Sequence, residues 1–128
     1  MLTKPNPRHY APDHEAFRAT VRRFVEREII PNAAAWDEAG GFPRELYGKA
    51  AAAGLLGVGF PEEYGGFGAS ALVFNRVFGE IGATDPALAV YFGAHQSIGC
   101  KGIVLFGNEE QKQRYLPRCA SGELVAAF

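Results

Sequence analysis

Residues 86–107, PALAVYFGAHQSIGCKGIVLFG, constrain what this chain can fold into. Asp85 and Pro86 suit an N-cap and a first helical residue, and Gly107 suits a helix end. At about 1.5 Å per residue such a helix runs about 30 Å, the width of a small domain. Apolar residues occupy most of its sides, so other helices are expected to surround it. His95, Gln96 and Lys101 sit near its centre, and a lysine there is costly in lipid, which argues against a membrane span. Gly93, Gly99 and Gly102 lie inside it, and each costs about 1 kcal/mol relative to alanine. His95, Ile98 and Gly102 are spaced three and four apart and are expected to share one helix face, with Tyr91 and Gly99 near by. Two readings stand. Either a neighbour packs tightly against the glycines, or the missing side chains leave a slot for an apolar ligand.

The rest of the chain reads as shorter helices divided by glycine and proline. Residues 1–12 read as an extended arm carrying prolines. Asp13 is the expected cap of a first helix whose apolar stripe is Phe17, Val21, Phe24, Val25 and Ile29. Pro31 is expected to kink or end it, with a short continuation through Trp36. After Gly40-Gly41, Pro43 opens a second helix with Leu46, Ala50 and Ala53 inside and Gly54 as terminator. Residues 54–69 are too rich in glycine for a helix. Ser70 caps a helix with Phe74, Val77, Phe78 and Ile81 on its apolar face. Asn108 and Gln111 resemble a capping box for a last helix that should stop near Pro117. ELVAAF, residues 123–128, looks like the start of a strand that lacks a partner in an otherwise helical chain.

Several chemistries are disfavoured. A net charge of −1 gives no general attraction to nucleic acid or anionic membrane. Cys100 and Cys119 show no CxxC spacing, so reduced, buried thiols are the default reading. His95, Cys100 and the remote His14 make no tetrahedral zinc pattern, and no metal site is expected. EEYGGFG matches no phosphate-loop pattern and reads as backbone needing positive φ and close packing. Glu62-Glu63 and Glu109-Glu110 read as solvated acids, leaving no convincing general base.

Three runs then carry a family resemblance: FVEREIIPNAAAWDEAGGFP, AAAGLLGVGFPEEYGGFG and FGNEEQKQRYLPRCASGELVAAF. Taken in this order, the chain resembles the N-terminal helical domain of the acyl-CoA dehydrogenases, and GAHQSIGCKGIVLFG looks most like the very-long-chain branch. The resemblance implies an all-α domain of five to six helices over residues 13–123, with residues 124–128 opening an absent middle β domain. It implies oxidation of long-chain acyl-CoA to trans-2-enoyl-CoA in fatty acid β-oxidation, with hydride passing to FAD and electrons leaving to an electron-transfer flavoprotein. A homo-oligomer, tetramer or dimer, is implied too. The catalytic glutamate and the flavin signature of the family fall outside this sequence, so no catalytic residue is assigned and the chain alone is expected to be inactive.

By the same resemblance, Gly93, Ala94, His95, Ile98 and Gly99 correspond to the inner wall of the acyl pocket. Phe128 corresponds to an aromatic position beside the flavin. For His95 a hydrogen-bonded core role stands equally open. The alternative function is a helical interaction module derived from the family but without catalysis. A bacterial cytoplasm is the expected compartment, with the mitochondrial matrix as the alternative.

Overall fold

The computed structural model describes residues 11–127. The arm expected over residues 1–12 lies almost wholly outside them, and so does Phe128. Seven α-helices occur among the described residues: α1 (Pro12–Phe24), α2 (Ala33–Ala39), α3 (Glu45–Ala52), α4 (Ala71–Gly82), α5 (Pro86–Ala94), α6 (Lys101–Phe106) and α7 (Glu109–Ala120). α5 and α6 are two halves of one helical path, joined by a wide turn over His95–Gly99. With that path taken as one helix the count is six. The fold is the all-α architecture that the resemblance implies.

The apolar stripe of α1 builds the main core. Phe17, Val21 and Phe24 are buried, and a second wide turn, Val25–Ile29, carries Val25 and Ile29 inward. Ile30 N–H reaches the carbonyl of Val25, five residues back, at 2.9 Å. The helix then ends at Pro31, whose ring cannot continue the ladder. α4 lies between α1 and α5 and buries Val73, Val77, Phe78 and Ile81. Ser70 and Asp85 cap α4 and α5 as expected, accepting from Val73 N–H at 3.4 Å and Leu88 N–H at 3.0 Å. Ala11, not Asp13, is the N-cap of α1; Pro12 occupies the first helical position and Asp13 lies in the first turn. α3 begins at Glu45, two residues beyond Pro43.

The glycine-rich segment after α3 is not a surface loop. Leu55, Leu56, Val58 and Phe60 are all buried. The chain folds back on itself there, with Phe67 N–H on Gly57 O, Gly68 N–H on Phe60 O and Ala69 N–H on Val58 O. Glycine is required for two reasons. Gly65 and Gly68 hold φ of +82° and +62°, and a side chain at Gly66 would meet the Phe60 carbonyl oxygen at 2.2 Å. The positive-φ, close-packing reading of EEYGGFG holds.

A second, smaller core unites Phe60, Tyr64, Cys100, Leu116 and Cys119. It requires α7 to run beyond Pro117 to Ala120, contrary to the expected stop. Pro117 has no N–H to give the preceding turn, but burial of Leu116 and Cys119 on either side of it offsets that loss. Residues 125–127 form no regular element and pair with no strand among the described residues.

Candidate functional site

The helical path from α5 to α6 holds the residues singled out from sequence, and its wide turn decides where each one points. Cys100 N–H bonds His95 O, five residues back, at 3.0 Å, which inserts one residue into the ladder. The face expected for His95, Ile98 and Gly102 is therefore split. His95 is fully buried, whereas Ile98 is 62% exposed.

His95 sits between two backbone groups. Its Nδ1 accepts from Ala126 N–H at 3.0 Å, so its Nε2 carries the proton and donates to the Cys119 carbonyl at 3.1 Å. Burial lowers its pKa from the ordinary histidine value, and the ring is held neutral. The core reading of His95 fits this geometry, since neither nitrogen remains for a ligand. Gln96 is buried as well, and its Nε2 donates to Leu55 O at 2.7 Å and Phe92 O at 3.2 Å. Ser97 Oγ donates to Gly93 O at 2.8 Å. The polar triplet in an apolar helix thus serves backbone carbonyls, two of them one turn back.

The glycines divide between the two readings. At Gly99 a Cβ would stand 2.4 Å from Ala126 Cβ, so this glycine admits the chain segment that follows α7. At Gly93 the nearest neighbour would be Phe78 Cδ1 at 3.9 Å, an ordinary contact with room to spare. Around Gly102 there is open space. Gly99 serves close packing, and Gly93 and Gly102 do not.

The open surface of the path is apolar. Val90, Tyr91 and Ile98 are exposed on α5 and the wide turn, with half-buried Ala94 between them, and Leu105 and Phe106 continue the exposure on α6. Val90, Ala94 and Ile98 recur every four residues and span about 12 Å. The helix is therefore not surrounded by other helices among the described residues, contrary to expectation. Its apolar composition is spent partly on the core and partly on this stripe. Val90 was not singled out from sequence, although a step of four back from Ala94 points to it. A separate cleft of about 190 Å³, lined by Gly59, Phe74, Gln96, Ser97 and Lys101, does not include Gly93, Ala94 or Ile98.

Folding also assembles a cluster that sequence spacing conceals. The side-chain donor atoms of His95, Cys100 and Cys119 lie within 4.8 Å of one another, and all three residues are buried. The Cys100 and Cys119 sulfurs thus face each other within 4.8 Å. Interaction between the two thiols raises the pKa of Cys100 and lowers that of Cys119. No helix among the described residues is long and apolar enough to cross a membrane.

Comparison with known proteins adds four findings. The family model for the N-terminal domain of acyl-CoA dehydrogenase matches residues 11–123. An acyl-CoA dehydrogenase of Bacillus subtilis is 38% identical over 120 residues, covering 94% of this chain and 32% of that protein. The mitochondrial very long-chain specific acyl-CoA dehydrogenase of Rattus norvegicus is 48% identical over 75 residues, 59% of this chain and 12% of that protein. Among solved structures, an acyl-CoA dehydrogenase of Bacillus anthracis complexed with FAD superposes with a TM-score of 0.85 at 36% identity, covering 96% of this chain and 21% of that one. The chain thus spans about a third or less of the proteins it matches.

Proposed function

The chain belongs to the acyl-CoA dehydrogenase family, and from that premise we propose that it supplies the apolar wall against which an FAD-dependent dehydrogenase lays a long acyl chain. The reading is supported by one observation above others: an exposed apolar stripe, Val90, Tyr91, Ala94 and Ile98, on a helix whose His95, Gln96 and Ser97 side chains are bonded to backbone carbonyls. Each buried methylene of an acyl chain contributes about 0.8 kcal/mol, so a 12 Å apolar track favours long chains over short ones. The wall excludes water from the chain and carries no proton. Of the five positions matched to the acyl pocket, Ala94 and Ile98 are the ones open to a ligand. Gly93 faces Phe78, and His95 and Gly99 are taken up by packing against the end of the chain.

FAD, when bound, supplies the hydride acceptor. Asp13 and Glu62 rim a cleft of about 550 Å³ and Asp37 and Asp85 one of about 260 Å³, whereas one of about 340 Å³ carries Arg23, Arg27 and Lys49 beside Glu28. Carboxylates repel a pyrophosphate, which calls for backbone N–H groups or arginine. The flavin in this reading is held by residues outside 11–127.

A chimera tests the proposal. Residues 11–123 replace the matching segment of the Bacillus subtilis relative, and purified protein is assayed with saturated acyl-CoA substrates of graded length. Flavin loading and enoyl-CoA formation with a long-chain optimum are expected. A folded, flavin-loaded chimera that oxidises no acyl-CoA sinks the reading. Ala94→Phe in the same chimera should move the optimum to shorter chains, while Gly99→Ala should affect folding without that shift.

A further inference from the structure

The buried thiols fall outside the proposed acyl wall. Cys100 ends the wide turn between α5 and α6, and Cys119 lies in the last turn of α7. They are 19 residues apart in sequence, yet their sulfurs lie within 4.8 Å of each other in the small second core. We propose that Cys100 and Cys119 are a reversible dithiol–disulfide pair, closed by a peroxide-class oxidant, that staples the end of α7 to the α5–α6 helix. The inference does not depend on the acyl-wall reading.

The geometry favours a disulfide over a metal. The cluster offers three donor residues, but both nitrogens of His95 are already bonded to backbone groups. Two sulfurs remain, fewer than a zinc site uses. Their asymmetry suits exchange chemistry. Interaction between the thiols lowers the pKa of Cys119 and raises that of the fully buried Cys100, which makes Cys119 the attacking member and Cys100 the resolving one. Access is from the Cys119 end. Cys119 retains slight exposure, and the core is closed there by half-buried Leu124 and Ala126 rather than by a helix.

The chemistry balances with hydrogen peroxide. The Cys119 thiolate attacks a peroxide oxygen; the S–O bond forms, the O–O bond breaks, and the hydroxide released takes up a proton. Cys100 sulfur then attacks the sulfenic sulfur; the S–S bond forms, the S–O bond breaks, and the departing hydroxide takes the Cys100 proton. Two thiols lose two electrons and two protons, and peroxide becomes two waters. The disulfide closes a loop of about 20 residues and stabilises by constraining the unfolded chain.

The test treats reduced chain with one to two equivalents of hydrogen peroxide under native conditions, then alkylates and measures mass. The expected product is monomeric, lighter by two hydrogens and blocked to alkylation. Its tryptic peptides 77–101 and 119–128 are joined until dithiothreitol is added. Its melting temperature should rise by ~5 °C or more over the reduced chain. Cys100→Ser should stop at a sulfenic acid on Cys119 that dimedone traps. If that variant does not fold, the wild-type mass and melting data decide alone. The proposal is overturned if both thiols remain alkylatable, if Cys119 advances to sulfinic acid without cross-linking, if the disulfide forms between chains, or if one equivalent of zinc binds at the pair and blocks oxidation.

Discussion

A methyl group at Gly99 would collide with Ala126, and that contact ties two regions of the chain together. Ala126 is also the residue whose N–H bonds to His95. Gly99→Ala should therefore push the 124–127 segment away and break that hydrogen bond. A loss of about 1–3 kcal/mol is expected in urea unfolding, from overpacking together with a buried acceptor left unpaired. A loss under about 0.5 kcal/mol would mean that the segment yields freely. His95 gives the same region a pH dependence. Its folded pKa lies below its unfolded value of 6.5, so below that pH the unfolded chain binds the extra proton. Stability should fall as pH drops from about 6.5 toward the folded pKa, and level off below it. Glu80, whose pKa is also lowered, acts in a separate window beneath its ordinary value of 4.5. Between pH 5 and 6.5 the slope should disappear in His95→Gln, as read from denaturation midpoints. A slope that survives the substitution would place its origin elsewhere.

At the scale of elements, one buried carboxylate joins α1 to α4. Glu80 accepts from Arg18 Nε at 2.6 Å and from Arg22 Nε at 3.0 Å. The two arginines are not equivalent, because the Arg18 side chain is 12% exposed and that of Arg22 is 53% exposed. Glu80→Ala should cost about 1–3 kcal/mol, since it leaves the nearly buried Arg18 guanidinium with Glu15 alone, whereas Arg22→Ala should cost under about 1 kcal/mol. Equal losses in the two variants would show that burial does not set the strength of this contact. Such elements differ in how far sequence betrays them. The inward stripes of α1 and α4 follow from three- and four-residue spacing, and the caps at Ser70, Asp85 and Asn108 follow from side-chain chemistry. The wide turn at His95–Gly99 does not, because its local sequence is compatible with an unbroken helix. The register shift depends on the contacts of His95 with Cys119 and Ala126, which lie 24 and 31 residues away. The persistence of α7 past Pro117 and the meeting of Cys100 with Cys119 have the same origin in tertiary packing. The candidate acyl wall is legible as a segment but not as a face: the sequence points to residues 93–99, while the structure leaves Ala94 and Ile98 open and takes His95 and Gly99 for packing.

For the whole molecule, the exposed stripe sets solution behaviour. Val90, Tyr91, Ile98, Leu105 and Phe106 follow one another along the α5–α6 path and are all more than half exposed. Scattered exposed apolar residues are ordinary on a soluble domain, but a run of them along one path is a contact surface. A net charge of −1 supplies little repulsion to keep copies apart. The chain by itself should therefore associate through this stripe, and its sedimentation coefficient should climb with concentration up to hundreds of micromolar. Replacing Ile98 by Lys and Leu105 by Glu together leaves the net charge unchanged, so any effect reports lost apolar contact rather than added repulsion. Both positions are exposed, and the doubly substituted chain should keep the wild-type melting temperature within a few degrees. It should sediment as a monomer where the wild type does not. A wild type that stays monomeric throughout would show that the stripe is not adhesive enough to need a cover, and would weaken the case that it receives an acyl chain. Association that survives both substitutions would move the contact to another face and leave the acyl-wall reading untouched.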